Sequence, residues 1–165
     1  MNTAAAFLSG SAWIALLLGA MGESLRSNEA EHPARQSIAR WLWALGGAFL
    51  LLHIAAAFHL RHGWSHAAAV ADTARQTHEF TGINWGGGVW FNYALAAVWV
   101  ADAAWWWFRP KAFERARRWL VFSRLFFLFM WLNAAVVFVR GPMRWFGLVV
   151  CIAAVLARYG AMRMR

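Results

Sequence analysis

The most prominent pattern along the chain is an alternation of long apolar runs with short polar stretches. The apolar runs approach the roughly 20 residues that a helix needs to cross about 30 Å of hydrocarbon. They predict five helices, over residues 4–22, 41–60, 85–108, 119–139 and 145–160. A polar stretch between the second and third runs predicts a short amphipathic helix over 66–80, capped by Ser65.

This pattern predicts an all-α protein, a polytopic integral membrane helical bundle of about five transmembrane helices. The composition agrees, because 62% of the 165 residues are hydrophobic and only 14% are charged, whereas a soluble domain carries about 25% charged residues. No linker long enough to separate two domains is present, so we expect residues 1–165 to form a single transmembrane domain. The first run lacks the basic residues that precede the apolar region of a signal peptide.

The positive residues predict how the helices are oriented in the membrane, since lysine and arginine concentrate in cytoplasmic loops. With five helices, eleven of the 16 basic residues fall on one side and four on the other. The eleven are Arg26, Arg35, Arg40, Arg109, Lys111, Arg115, Arg117, Arg118, Arg158, Arg163 and Arg165. We therefore expect the N-terminus outside and the C-terminus in the cytoplasm. Most of the 13 tryptophans then fall at a predicted membrane interface, which they prefer.

The net charge of +9 does not indicate a nucleic-acid partner. The arginines flank apolar runs and do not form the basic face of a soluble module. The expected partners are the lipid bilayer and other membrane subunits or further copies of the chain. The abundance of arginine and alanine is typical of a GC-rich bacterial genome, so we expect a bacterial inner membrane protein.

Charged residues within the apolar runs are costly in hydrocarbon and need a partner or a purpose. Counting about 1.5 Å of rise per residue, Asp102 lies about 9 Å inside the third predicted helix and Arg124 about 7 Å inside the fourth. These helices are antiparallel neighbours joined by a short turn. The sequence therefore predicts a structural Asp102–Arg124 ion pair, with a proton or substrate role as the alternative.

A second polar layer is predicted nearer the outer side. His53, Asn92 and Asn133 fall at about 18, 24 and 21 Å from the inner ends of their helices, with Tyr93 close by. One interpretation is hydrogen bonding between helices. The other is a binding site for a cofactor or a quinone head group, in which His53 is a ligand or a hydrogen-bond donor.

Histidines gather on the predicted outer side. His59, His62 and His66 follow one another at i, i+3 and i+7, within about 60° of one face of a continuous helix, and His78 follows on the amphipathic segment. Imidazole suits transition metals, so these four histidines are candidate metal ligands. Haem b is a further possibility, with His59 and His78 as axial ligands or with His53 paired to another subunit. Surface or packing roles and a pH-responsive role are the alternatives.

Glycines mark two further positions. Gly86, Gly87 and Gly88 follow Asn84, the predicted N-cap of the third helix, and no lysine or preceding strand completes a phosphate-binding loop. We expect close packing here and at the Gly46–Gly47 pair.

No motif names an activity. The sequence predicts an accessory or structural subunit of a larger, redox-related membrane complex, without catalytic activity of its own. The alternatives are a small metal- or haem-binding redox protein that uses the outer histidines, and a small-solute transporter with a path near His53, Asn92 and Asn133.

Overall fold

The structure is a computed structural model that describes residues 3–26, 32–139 and 141–163, with side chains as far as Ala157 in the last of these ranges. Every regular element in these residues is helical. The helices are α1 Thr3–Leu25, α2 Pro33–Ala57, α3 His66–Thr81, α4 Gly88–Phe108, α5 Pro110–Arg115, α6 Arg117–Leu132 and α7 Met143–Arg163. Two π-helical turns, Phe58–His62 and Asn133–Val137, continue α2 and α6.

Three of the described helical segments are long and apolar enough to span a membrane. These are Thr3–Leu25, Pro33–His62 and Arg117–Val137, and Met143–Ala157 is a shorter apolar segment of the same kind. At about 1.5 Å per residue, the 30 residues of Pro33–His62 extend over about 45 Å, which exceeds the thickness of the hydrocarbon. The prediction of an all-α chain is confirmed for the described residues, and three of the helices have the length and hydropathy that a membrane span requires.

The helix ends differ from the predicted ones where polar residues continue a helix. α1 extends to Leu25, and α2 begins at Pro33, whose fixed φ suits a first helical turn. The cap predicted for the amphipathic helix is confirmed, because the Ser65 side chain accepts a hydrogen bond from Ala68 N at 3.2 Å. Asn84 is not the N-cap of α4, which begins after Gly87 without a side-chain cap.

Five of the described helices pack as a ring around an aromatic core. α1 lies beside α2 and α7, α4 lies beside α2 and α6, and α6 contacts α7. The centre is filled by Trp43, Trp99, Phe127 and Trp131, which are almost fully buried. Trp43 packs 5.0 Å from Trp99 and 4.8 Å from Phe127 between ring centroids. Such pairs add about 0.5–1.5 kcal/mol each beyond the burial of their area.

Glycines bring α1, α2 and Trp99 together, as the sequence predicted for the Gly46–Gly47 pair. A Cβ on Gly46 would lie 2.9 Å from the Trp99 ring and 3.0 Å from Gly19 N on α1. The Trp99 indole donates a hydrogen bond to the carbonyl of Trp43 at 3.1 Å. The close approach of the α2 backbone therefore fixes the position of the central tryptophan.

The two ends of the ring differ in chemistry. The arginine-rich end consists of the last turn of α1, the start of α2, the end of α4, α5 and the start of α6. The histidine end consists of the start of α1, the turn 58–62, α3 and the start of α4.

At the histidine end Gly63 and Trp64 both have positive φ, of 54° and 62°, which terminates α2 and redirects the chain into α3. Gly86 then approaches Val70 closely enough that a Cβ would lie 2.6 Å from it.

Candidate functional site

Asp102 is the centre of a buried polar cluster at the arginine-rich end. Its side chain is fully buried. One carboxylate oxygen lies 3.3 Å from Arg26 Nη2, and the other accepts a hydrogen bond from Trp119 Nε1 at 2.8 Å. The carboxylate thus joins α4 to the C-terminal end of α1 and to α6.

Glu23 extends this cluster to a second arginine. It pairs with Arg26 at 3.2 Å, and its other oxygen accepts a hydrogen bond from Arg124 Nε at 2.8 Å. The four side chains form a continuous series, Arg124–Glu23–Arg26–Asp102, with two positive and two negative charges. The cluster therefore has no net charge when all four are ionised.

Aromatic rings surround the Arg26 guanidinium. Its central carbon lies 4.0 Å from the Trp106 ring centroid, 5.1 Å from Trp43 and 5.2 Å from Phe113. A desolvated cation over aromatic rings gains about 2 kcal/mol or more. The rings supply part of the stabilisation that Arg26 loses on leaving water.

The predicted direct ion pair between Asp102 and Arg124 is wrong, although both residues belong to this cluster. Each pairs with a residue of α1 instead, Asp102 with Arg26 and Arg124 with Glu23. The reason is that α1 continues beyond its apolar run and inserts its charged end between α4 and α6. The sequence contained a signal for this: Glu23 and Arg26 are spaced i, i+3 directly after the apolar run, with no proline between them.

His53 and Asn92, predicted to share a layer, do line one cavity nearer the histidine end. The cavity measures about 190 Å³. Its polar lining consists of His53, His62, Thr73, Asn92 and Tyr93. Its deeper wall is apolar and includes Leu16, Trp99, Met130 and Trp131. Asn133 does not belong to this lining; its side chain donates to the Phe129 carbonyl at 2.7 Å within α6.

The imidazole of His53 is held in one orientation by α1. Its Nδ1 lies 3.0 Å from the Leu8 carbonyl and 3.2 Å from Ser11 Oγ, and the Ser11 hydroxyl itself donates to Leu8 O. A carbonyl oxygen only accepts hydrogen bonds, so Nδ1 carries the hydrogen. In the neutral ring Nε2 is then an acceptor.

Asn92 differs from His53 in having no such support. Among the described residues, its side chain has no hydrogen-bond partner, and it is exposed. Tyr93, the next residue, is tied to the histidine end by a 2.9 Å hydrogen bond between its hydroxyl and His66 Nδ1.

The predicted metal site at His59, His62, His66 and His78 gains no support from the described residues. The described residues contain no group of three or more histidine, cysteine or acidic side chains that could hold a metal ion. The reversal at Gly63 and Trp64 breaks the helix on which the i, i+3, i+7 spacing depended. His66 instead bonds Tyr93, while His62 packs 5.7 Å from Phe58.

Haem b gains no support from this geometry. His59 and His78 are exposed side chains on separate elements, and His59 lies 6.3 Å from the Trp64 ring. His53 lines a cavity of about 190 Å³, whereas sites for drug-sized ligands measure about 300–1,000 Å³.

An open groove lies beside this cavity. It measures about 740 Å³ and is bounded by the start of α1, the turn 58–62 and α3. Arg61, His62, Asp72 and Arg75 supply its polar rim, and Asp72 pairs with Arg75 and Gln76. His62 lines both the groove and the cavity.

No protein-family model, curated protein or solved structure matches the chain.

Proposed function

We propose that the chain is an integral protein of a bacterial inner membrane, crosses the bilayer five times and serves as a non-catalytic subunit of a larger membrane assembly. Its N-terminus is outside and its C-terminus is in the cytoplasm. Its partners are other membrane subunits or further copies of the chain, and the assembly is redox-related.

Five crossings are supported by the way α4 and α7 pack beside the three apolar helices. α4 contacts α2 near its start, through Trp41 and Trp107 at 5.0 Å, and the π-helical turn that continues α2, through Phe58 and Tyr93 at 6.3 Å. Its 21 residues extend over about 31 Å, enough for the hydrocarbon layer. α7 lies beside α1, where Phe146 packs 5.5 Å from Trp13.

The closed charge cluster is the observation that carries the subunit proposal. Glu23, Arg26 and Asp102 are the charged side chains that the described structure buries, and each is paired within the cluster. A pump or a proton relay needs titratable groups in succession along the membrane. Here the buried charges are confined to one end, where they join helices, which suits a structural role.

Purification in a mild detergent from the native membrane, followed by native mass spectrometry, tests this proposal. We expect a stoichiometric complex with other membrane polypeptides or with further copies of the chain, and no visible absorbance from the chain itself when it is expressed alone. A monomeric chain with a haem absorbance band would contradict the proposal and favour a redox protein.

A further inference from the structure

The cavity near the histidine end contains hydrogen-bonding groups that the bundle leaves available. His53 Nδ1 is satisfied by α1, so Nε2 of the neutral ring is an acceptor without an assigned role. Asn92 adds two amide donors and a carbonyl acceptor, with no partner among the described residues. Polar groups at membrane depth are costly unless water, a ligand or a protein group satisfies them.

The cavity is suited to an uncharged occupant. Among the described residues that line it, none is Asp, Glu, Lys or Arg. A charged molecule would lose its hydration there without gaining an opposite charge. A volume of about 190 Å³ corresponds to about six waters at roughly 30 Å³ each, or to one small organic molecule.

The histidine end offers an approach to the cavity. His62 separates it from the open groove of about 740 Å³ at the histidine end. On the other side, the buried Trp99 and Trp131 close its floor. Beyond them the arginine-rich end is sealed by its paired charges. This arrangement suits a binding site better than a path through the membrane.

We propose that the groove and the cavity form one binding site, reached from the histidine end past His62, for a small uncharged amide or alcohol. His53 Nε2 accepts a hydrogen bond from the ligand, and the Asn92 amide donates to its oxygen. The apolar floor contacts the rest of the molecule. Arg61 and the Asp72–Arg75 pair keep the groove hydrated, because their charged groups lie on its rim.

Thiol reactivity tests whether water reaches the cavity. In a Cys151→Ser background, Leu50→Cys places a thiol on the cavity wall, while Leu51→Cys places one on the exposed apolar face at the same depth. Methyl methanethiosulfonate, an uncharged reagent, reacts with the thiolate, which forms in water and not in lipid. We expect Leu50→Cys to react at least about tenfold faster than Leu51→Cys. Equal rates would overturn the proposal.

A second pair of cysteine substitutions, at two alanines of the same helix, repeats the test in case Leu50→Cys misfolds. Ala57 lines the cavity and Ala55 is exposed on the same helix. Ala57→Cys should therefore react faster with the reagent than Ala55→Cys. His62→Trp should slow the reaction at Leu50→Cys by narrowing the opening. An unchanged rate would contradict the approach past His62.

Protection by formamide, a small uncharged amide, tests the class of ligand. We expect formamide to slow the reaction at Leu50→Cys and to lose this effect in the Asn92→Leu variant, with protection measured in each variant as the ratio of the rates with and without formamide. An absence of protection, or protection that persists in Asn92→Leu, would overturn the assigned ligand class and leave a cavity that holds water only.

Discussion

The two ends of the bundle use polar residues in opposite ways. At the arginine-rich end, Asp102, Glu23 and Arg26 are buried, Arg124 completes a cluster without net charge, and aromatic rings surround Arg26. At the histidine end, most imidazoles are exposed or partly exposed, and a cavity and a groove remain open between the helices. The first end is closed by charge pairing, and the second leaves space between its helices.

The difference follows from where the partners lie in the chain. Arg26 and Asp102 belong to helices far apart in sequence, and α1 brings them together by extending beyond its apolar run. The histidines are close in sequence, but Gly63 and Trp64 turn them onto different elements. Nearness in sequence is therefore a poor guide to which polar residues meet in this bundle.

The largest effect is expected from breaking the charged cluster. Asp102→Ala removes the carboxylate that faces Arg26 and leaves a buried cation without this partner, which costs about 3–5 kcal/mol. Unfolding in mixed detergent micelles measures the free energy. Glu114→Ala is the matched control, since Glu114 is exposed on α5, and its effect should be within about 0.5 kcal/mol. Equal losses in the two variants would mean that the cluster does not stabilise the fold.

A smaller loss is expected from crowding the contact between α1 and α2. A Cβ at Gly46 meets backbone atoms of α1 at 3.0 and 3.1 Å, which cannot move aside independently. Gly46→Ala should therefore destabilise the bundle by about 1–3 kcal/mol. Gly10→Ala, where no atom lies within 4 Å, should be neutral or stabilising in the same unfolding measurement. A destabilised Gly10→Ala with an unaffected Gly46→Ala would contradict the packing described for these helices.

Removing the His53 imidazole should have a modest effect. His53→Ala deletes the hydrogen bond to Leu8, and bonds between membrane helices contribute about 0.6 kcal/mol on average. His59→Ala should leave the unfolding free energy unchanged, because that side chain is exposed. If both substitutions had the same effect, the hydrogen bond between His53 and the Leu8 carbonyl would not contribute to stability.

The smallest effect is expected from metal ions at the histidine end. Zn²⁺ or Ni²⁺ should leave the unfolding free energy unchanged, because the described histidines do not converge on one point. A true site would stabilise the fold by about 2.7 kcal/mol at a metal concentration of 100 times Kd. A gain of that size, lost when His59, His62, His66 and His78 are replaced by alanine, would contradict the described geometry.

The sequence predicted those features that depend on local pattern. Apolar length predicted membrane-compatible helices, and Ser65 was correctly predicted to cap α3. The glycine pair in α2 was correctly assigned to packing. The partner of Asp102 could not be predicted in this way, because the choice between Arg26 and Arg124 depends on how far α1 extends. The cavity was only half predicted: His53 and Asn92 both line it, whereas Asn133 does not, although its neighbour Ala134 does.

The five crossings that we propose place the charged cluster at the cytoplasmic side of the bilayer. Protease protection of tags at the two termini, in intact and in opened spheroplasts, tests this directly. We predict that the N-terminal tag is cut in intact spheroplasts and that the C-terminal tag is cut only after they are opened. Tags that are both accessible, or both protected, in intact spheroplasts would contradict an odd number of crossings.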